Sequence, residues 1–65
     1  MNLIINGQAA HSGATTLDEL LRELDLDEAV VATALNGQFV PKTLRQQTML
    51  HAGDQIEIIA PMQGG

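Results

Sequence analysis

The sequence contains no cysteine, a single aromatic residue and only three basic side chains. Without cysteine the chain can form neither a disulfide nor a cysteine-based metal site, and this composition fits a cytoplasmic protein. Because Phe39 is the only aromatic residue, stacking platforms for nucleic-acid bases and aromatic ligand cages are excluded. Three Lys and Arg against eight Asp and Glu give a net charge of −5, which excludes a phosphate-binding patch for nucleic acid.

Long apolar runs are also missing. No run approaches the about 20 apolar residues that span a bilayer, and no basic segment precedes a short apolar one, so we expect no membrane association. The chain nevertheless has 65 residues, of which 45% are hydrophobic, and this is typical of one small globular domain. We predict a folded domain over residues 1–60 and a flexible tail over residues 61–65.

Two Asn-Gly pairs, Asn6-Gly7 and Asn36-Gly37, predict two β-hairpins, because a type I′ turn needs positive φ at both central residues. Pro41 ends the second hairpin, since proline cannot donate a hydrogen bond to a neighbouring strand. The strands predicted beside the two turns are 2–6, 8–11, 29–35 and 38–40.

A helix is predicted between the hairpins, over residues 17–25. Thr16 can cap its first turn, and Glu19 can reach back to complete a capping box. The helix presents one apolar stripe of leucines at helical spacing. These are Leu17, Leu20, Leu21 and Leu24.

The order of these elements predicts an α+β fold. Residues 42–52 show no clear periodicity, and Gly53-Asp54 leads into a last strand at 55–60. A single amphipathic helix needs a sheet to bury its leucines. We therefore predict a ubiquitin-like β-grasp, with a mixed four- to five-stranded sheet packed on one main helix and the first and last strands parallel at its centre.

Residues suited to catalysis or metal binding are few. Ser12 with His11 or His51 is a poor nucleophilic pair, because adjacent residues of a strand point to opposite faces. The two histidines lack the spacing of a metal site. An acidic cluster at the end of the predicted helix is interpreted as solvent-exposed: Asp25, Asp27 and Glu28. We predict that the chain is not an enzyme and binds no cofactor or metal.

Gly64 and Gly65 end the sequence and carry the clearest functional signal. Glycine has no Cβ, and the five residues after the last predicted strand can extend roughly 16 Å. We interpret residues 61–65 as a thin probe that presents the Gly65 carboxylate inside a partner's active site. With a pKa of about 3.5 this carboxylate is ionised and a poor electrophile, so we expect ATP-dependent adenylation on a partner.

Four segments in this order resemble the thiamine-biosynthesis sulfur carrier family, ThiS, over essentially the whole chain. They are Leu20-Leu21, the run from Ala34 to Pro41, the run from Gly53 to Ile58, and Gly64-Gly65. The resemblance implies that a ubiquitin-activating-like adenylyltransferase activates Gly65 with ATP. A sulfur donor, usually a cysteine desulfurase persulfide, would convert it to a thiocarboxylate, and thiazole synthase would take the sulfur. The carrier would be a monomer when free.

Three residues depart from the family pattern: Lys42 stands for a usual Arg, Arg45 for a common aromatic, and Met62 for another hydrophobic residue. Lysine lacks the bidentate fork of arginine, so a family contact to a carboxylate would be weaker here. Two alternatives stay open. One is the small subunit of molybdopterin synthase, which has the same fold and tail, and the other is a ubiquitin-like modifier that forms isopeptide bonds with lysines.

A partner surface is predicted beside the tail. Ile56 and Ile58 alternate with Ile59 along the last strand, so we assign the first two to the helix-packed core with Leu3 or Ile4. Ile59 and Phe39 would then form an exposed apolar patch that docks partners. The alternative is that Phe39 belongs to the core. Two tail residues complete the predicted partner contacts: Met62 and Gln63.

Overall fold

The computed structural model describes residues 1–60, and the predicted tail over residues 61–65 lies outside them. The elements are β1 (Asn2–Ile5), β2 (Gln8–His11), α1 (Leu17–Glu23), β3 (Ala32–Leu35), β4 (Gln38–Val40), a 3₁₀ helix (Lys42–Gln47) and β5 (Gln55–Ile59). The strands form one sheet in the order β2-β1-β5-β3-β4. Within the described part of the chain, neither helix is long and apolar enough to cross a membrane.

Both predicted hairpins are confirmed. In the first turn Asn6 has φ 51° and Gly7 has φ 80°, and in the second Asn36 has φ 50° and Gly37 has φ 85°. Each turn has two residues, so each fixes the register of the strands that flank it. The first hairpin forms one edge of the sheet and the second forms the other.

The centre of the sheet is also as predicted. β1 and β5 run parallel, with Ile5 opposite Ile56, while β3 runs antiparallel to β5 on its other side. This mixed five-stranded sheet packed on one main helix is the ubiquitin-like β-grasp fold. The side facing α1 contains the hydrophobic core, whose buried members are Leu3, Ala14, Leu17, Leu20, Val40, Leu50 and Ile56.

The start of α1 follows the predicted cap with one change. The side chain of Thr16 accepts a hydrogen bond from the backbone N–H of Glu19 at 3.2 Å. The Glu19 carboxylate bonds to Thr15, one residue before the cap, through the backbone N–H at 2.8 Å and the hydroxyl at 2.7 Å. These bonds from Thr15 favour the ionised form and lower the pKa of Glu19.

The end of α1 corrects the predicted range and one predicted core residue. The helix stops at Glu23 instead of residue 25, because Asp25 adopts φ 62° and closes a Schellman motif. In that motif the N–H of Leu26 donates to the carbonyl of Leu21 at 2.7 Å. Leu24, predicted to belong to the apolar stripe, is 40% exposed because the chain leaves the helix there.

Three strand boundaries and one burial prediction also change. β3 begins at Ala32 instead of residue 29, and Val30 is 81% exposed outside it. β1 ends at Ile5 and β5 at Ile59, one residue earlier than predicted in each case. Ile58 is half-buried against the core, whereas Ile56 is fully buried. Residues 42–47 form a 3₁₀ helix in the segment for which no periodicity was evident.

Candidate functional site

The face of the sheet opposite α1 contains an exposed apolar patch. The strand register places Phe39, Ala34 and Glu57 in one row across β4, β3 and β5. Ala32 and Ile59 form the next row toward the end of β5. Because side chains alternate along a strand, both rows lie on the same face.

Phe39 is 70% exposed and Ile59 is 59% exposed, so the alternative that Phe39 belongs to the core is wrong. The small side chains of Ala34 and Ala32 lie between them and leave a shallow apolar surface. This surface extends to Val30, which is exposed before β3. We call this surface the apolar patch: Val30, Ala32, Ala34, Phe39 and Ile59. The exposure of Phe39 and Ile59 is as predicted, and the role of the patch in binding partners stays a prediction.

Glu57 adds a negative charge beside the apolar patch. Glu57 is exposed, lies between Ala34 and the β1 side of the sheet, and shares the face with Ile59. The whole chain carries a net charge of −5.

The apolar patch lies at the end of the sheet from which the chain continues toward Gly65. Ile59 is the last residue of β5 and lines a shallow apolar cleft with Val30, Val31 and Ala32. The predicted partner-binding and reactive tail residues lie outside the described part of the chain. They are Met62, Gln63, Gly64 and Gly65.

Arg45 bonds to β3 on the side of the sheet opposite the apolar patch, a role that the sequence did not indicate. Its guanidinium is buried and donates from Nε to the Thr33 hydroxyl at 3.0 Å and from Nη2 to the Val31 carbonyl at 2.7 Å. Thr33 in turn donates to the Val40 carbonyl at 2.8 Å. These bonds tie the 3₁₀ helix to β3 and β4, so Arg45 acts in the fold and presents no surface to partners. Lys42 is exposed.

The residues considered for catalysis each bond to a different partner. Ser12 is buried and donates to the Glu23 carboxylate at 2.6 Å, which joins the loop after β2 to the end of α1. His11 lies on the exposed edge strand, where its Nδ1 contacts the side chain of Asn2 at 3.0 Å. The Ser12 hydroxyl is therefore used in a structural hydrogen bond. The acidic cluster is exposed as predicted: Asp25, Asp27 and Glu28.

His51 belongs to the turn before β5. Its backbone N–H donates to the Asp54 carboxylate at 2.8 Å, and the carboxamide of Asn36 donates to the other carboxylate oxygen at 3.1 Å. The Asn36 bond and then the His51 bond hold the pKa of Asp54 below its usual range. Both contacts stabilise the entry into β5.

A ubiquitin-like β-grasp domain with an uncovered apolar patch beside the end of its central strand is the class of protein that the described residues define. A family model for the ThiS family matches residues 3–65. The chain belongs to the ThiS family.

Individual relatives agree with this assignment. The chain is 38% identical to the sulfur carrier protein ThiS of Escherichia coli over 66 aligned residues, which cover all of both chains. It is also 39% identical to a thiazole synthase of Paramagnetospirillum magneticum. That alignment covers all of this chain but only 20% of the thiazole synthase.

Solved structures show the same fold. The crystal structure of a thiamine biosynthesis protein (ThiS) from Geobacter metallireducens superimposes with a TM-score of 0.85 at 33% identity and covers all of both chains. A solution structure of a thiamine biosynthesis protein from Geobacter metallireducens gives a TM-score of 0.81 at 33% identity, covering all of this chain and 88% of that one.

Proposed function

We propose that this chain is a sulfur carrier for the formation of the thiazole of thiamine. The observation that carries the proposal is the match to a sulfur carrier protein over the full length of both chains, which includes the Gly64-Gly65 end. In this function the Gly65 carboxylate is adenylated, becomes a thiocarboxylate and gives its sulfur to thiazole synthase. The chain is then a carrier in the cytoplasm, and its partners perform the catalysis.

The chemistry begins with an ionised carboxylate, which is a poor electrophile. On the adenylating enzyme a carboxylate oxygen of Gly65 attacks the α-phosphorus of ATP, and pyrophosphate leaves. Sulfide then attacks the acyl carbon and AMP leaves, so the product is a thiocarboxylate. A cysteine desulfurase persulfide delivers the same sulfur if a thiol reduces the resulting acyl disulfide. The carrier needs no bound cofactor, because the partner enzyme holds the ATP.

Thiazole synthase as the sulfur acceptor has support of its own. The Paramagnetospirillum magneticum relative is named a thiazole synthase, and the part that resembles this chain is a fifth of its length. A carrier-like segment is thus joined to a thiazole synthase in one polypeptide. Covalent linkage raises the effective concentration of two partners that must meet, which is the expected benefit if they act in sequence.

We further propose that the apolar patch docks the adenylating enzyme and then thiazole synthase. Each enzyme must receive Gly65, and the patch lies at the end of β5 that leads to it. Phe39 is the largest side chain of the patch, and its 70% exposure leaves most of its surface available for a partner. Large aromatic side chains commonly carry the binding energy of such surfaces.

Replacing Phe39 with alanine should therefore raise the KM of the adenylating enzyme for the carrier by about tenfold and leave kcat nearly unchanged. The free energy of unfolding should change by no more than about 0.5 kcal/mol, because the side chain is exposed. Leu44→Ala is the matched control, since Leu44 is also exposed but lies on the 3₁₀ helix outside the patch. Equal KM values for the two variants would contradict docking through the patch.

The proposed function is tested with the chain, its cognate adenylating enzyme, ATP and sulfide. We expect release of pyrophosphate that depends on the carrier, followed by a thiocarboxylate once sulfide is added. Thiazole synthase should then consume the thiocarboxylate and restore the carboxylate. Lysine conjugates without any thiocarboxylate would favour a protein modifier. Sulfur transfer only in the molybdopterin synthase reaction would favour the alternative that the chain is the small subunit of that enzyme.

A further inference from the structure

The last strand is bonded differently along its two sides. On the β3 side the pairing continues to the end of β5, where Ala32 lies opposite Ile59. On the β1 side the paired residues stop at Ile5 and Ile56, because β1 ends there. The backbone N–H of Asn6 still donates to the Ile56 carbonyl at 2.9 Å, but the chain then turns away at φ 51°.

The side chain of Asn6 continues the ladder where the backbone leaves it. Its Oδ1 accepts from the Ile58 N–H at 2.8 Å, and its Nδ2 donates to the Ile58 carbonyl at 3.2 Å. A carboxamide presents the same donor and acceptor as a peptide group, so it takes the place of the next residue of β1. Both backbone groups of Ile58 are bonded in this way, one residue before Ile59.

The second Asn-Gly turn provides a comparison within the same chain. The Oδ1 of Asn36 accepts from the Gln55 N–H at 2.9 Å, so this carboxamide bonds the first residue of β5. Asn6 and Asn36 therefore have the same turn conformation and the same kind of contact at opposite ends of one strand. Asn6 acts at the end of β5 from which the chain continues toward Gly65, whereas Asn36 acts at the start of β5.

Turn formation alone does not account for the Asn6 contact. A type I′ turn requires positive φ, which glycine supplies as readily as asparagine. The two bonds to Ile58 are exposed, so water would replace them if the carboxamide were removed. Their loss should open the end of β5 locally while the buried core keeps the domain folded.

We propose that Asn6 is a positioning residue that directs the chain leaving β5 toward the partner's active site. This inference rests on the proposed function, since it concerns delivery of Gly65. A strand end held on both sides fixes the direction in which the chain leaves Ile59, whereas an end held only by β3 lets that direction vary. Asn6 thereby increases the fraction of docked carriers whose Gly65 enters the active site.

The test compares Asn6→Gly with Asn36→Gly, because both changes keep the turn and remove one carboxamide. Amide hydrogen exchange of the free protein should become about tenfold faster at Ile58 in Asn6→Gly and at Gln55 in Asn36→Gly. With the adenylating enzyme, Asn6→Gly should lower kcat about fivefold and leave KM nearly unchanged, because Phe39 still docks. Asn36→Gly should keep both constants within about twofold of the parent.

Unchanged exchange at Ile58 in Asn6→Gly would overturn the inference whatever the enzyme does. Equal kcat values for the two variants would overturn it as well, since a purely structural role predicts no difference between them. If the parent chain itself is not adenylated, the proposed function fails and the positioning role fails with it. The exchange measurement would still decide whether Asn6 holds the end of β5, so the two failures are distinguishable.

Discussion

Deleting Gly65 should reduce ATP-dependent activation by the adenylating enzyme by at least about 100-fold and leave the fold unchanged. The shortened chain still ends in a glycine carboxylate, that of Gly64, but its reach falls by about 3.5 Å. A misplacement of only about 1 Å can cost a reaction about 100-fold. Carrier-dependent release of pyrophosphate measures the activation, and the urea unfolding midpoint measures the stability of the fold.

Gly64→Val is the companion variant for this deletion. It keeps the length and the Gly65 carboxylate but adds a branched side chain to the segment that must enter the partner. We expect a rate of activation between those of the parent chain and the deletion. Glycine is thinner than valine and accepts backbone conformations that valine avoids. Activation of the deletion at the parent rate would show that Gly65 is not the reactive group.

Replacing Leu20 with alanine should cost about 2–5 kcal/mol of stability, since a buried leucine loses contacts and leaves a cavity. Leu20 is 0% exposed and packs in the core beneath the sheet. At about 0.05–0.15 kcal/mol per residue the whole domain has only about 3–10 kcal/mol. The Leu20→Ala protein should therefore lose a large share of its free energy of unfolding and unfold at a clearly lower urea concentration than the parent, as measured by circular dichroism.

Leu24→Ala is the matched control on the same stripe of leucines. Leu24 follows the helical spacing but is 40% exposed, so its truncation should cost less than about 1 kcal/mol. A cost equal to that of Leu20→Ala would mean that α1 continues past Glu23 and buries Leu24. The pair of variants therefore tests where the helix ends as well as what the core contains.

The elements that could be predicted are those specified by local chemistry. Positive φ at Asn6 and Asn36 follows from the turn type, and the two-residue turns then set the hairpin registers. The leucine spacing likewise predicts the helix, and three of the four leucines that it assigns to the core are buried. With two hairpins and one helix defined, few arrangements bury the leucines, and the β-grasp is one of them.

The end of the helix could not be predicted because the stop residue is unusual. Helices often end with a glycine in the left-handed conformation, and here Asp25 occupies that position with φ 62°. Periodicity alone extends the stripe to Leu24. The residue that overrides it is an aspartate in a segment with several other acidic residues, so its identity gives no distinct signal.

Arg45 was unpredictable for a related reason. A 3₁₀ helix has no long apolar period, so the sequence from 42 to 52 offers no pattern that indicates which side chain is buried. Arginine is rarely buried, and its acceptors are a hydroxyl at Thr33 and a carbonyl at Val31, which are distant in sequence. Such a contact becomes evident only when β3 and the 3₁₀ helix are placed together.

The candidate site was predictable in part. Alternation along β5 assigns Ile59 to the face opposite Ile56, and the exposure of Phe39 agrees with the predicted patch. The Asn6 contact with Ile58 joins residues 52 positions apart and depends on the parallel pairing of β1 and β5. That pairing is a property of the tertiary fold, so local sequence patterns do not show which backbone a turn asparagine will reach.

The central claim is that sulfur is carried as a thiocarboxylate on Gly65, and alkylation tests it most directly. After incubation with the adenylating enzyme, ATP and sulfide, the chain is treated briefly with a haloacetamide and cleaved after glutamate. The chain contains no cysteine to compete, and cleavage after Glu57 separates residues 58–65 from His51 and Met49.

Fragmentation of the 58–65 peptide then distinguishes Gly65 from Met62, the remaining residue there that reacts slowly. We predict a single adduct at Gly65 that requires ATP, sulfide and the enzyme together. An adduct at any other residue, or no adduct when the enzyme releases pyrophosphate from ATP in the presence of the chain, would contradict the sulfur-carrier account.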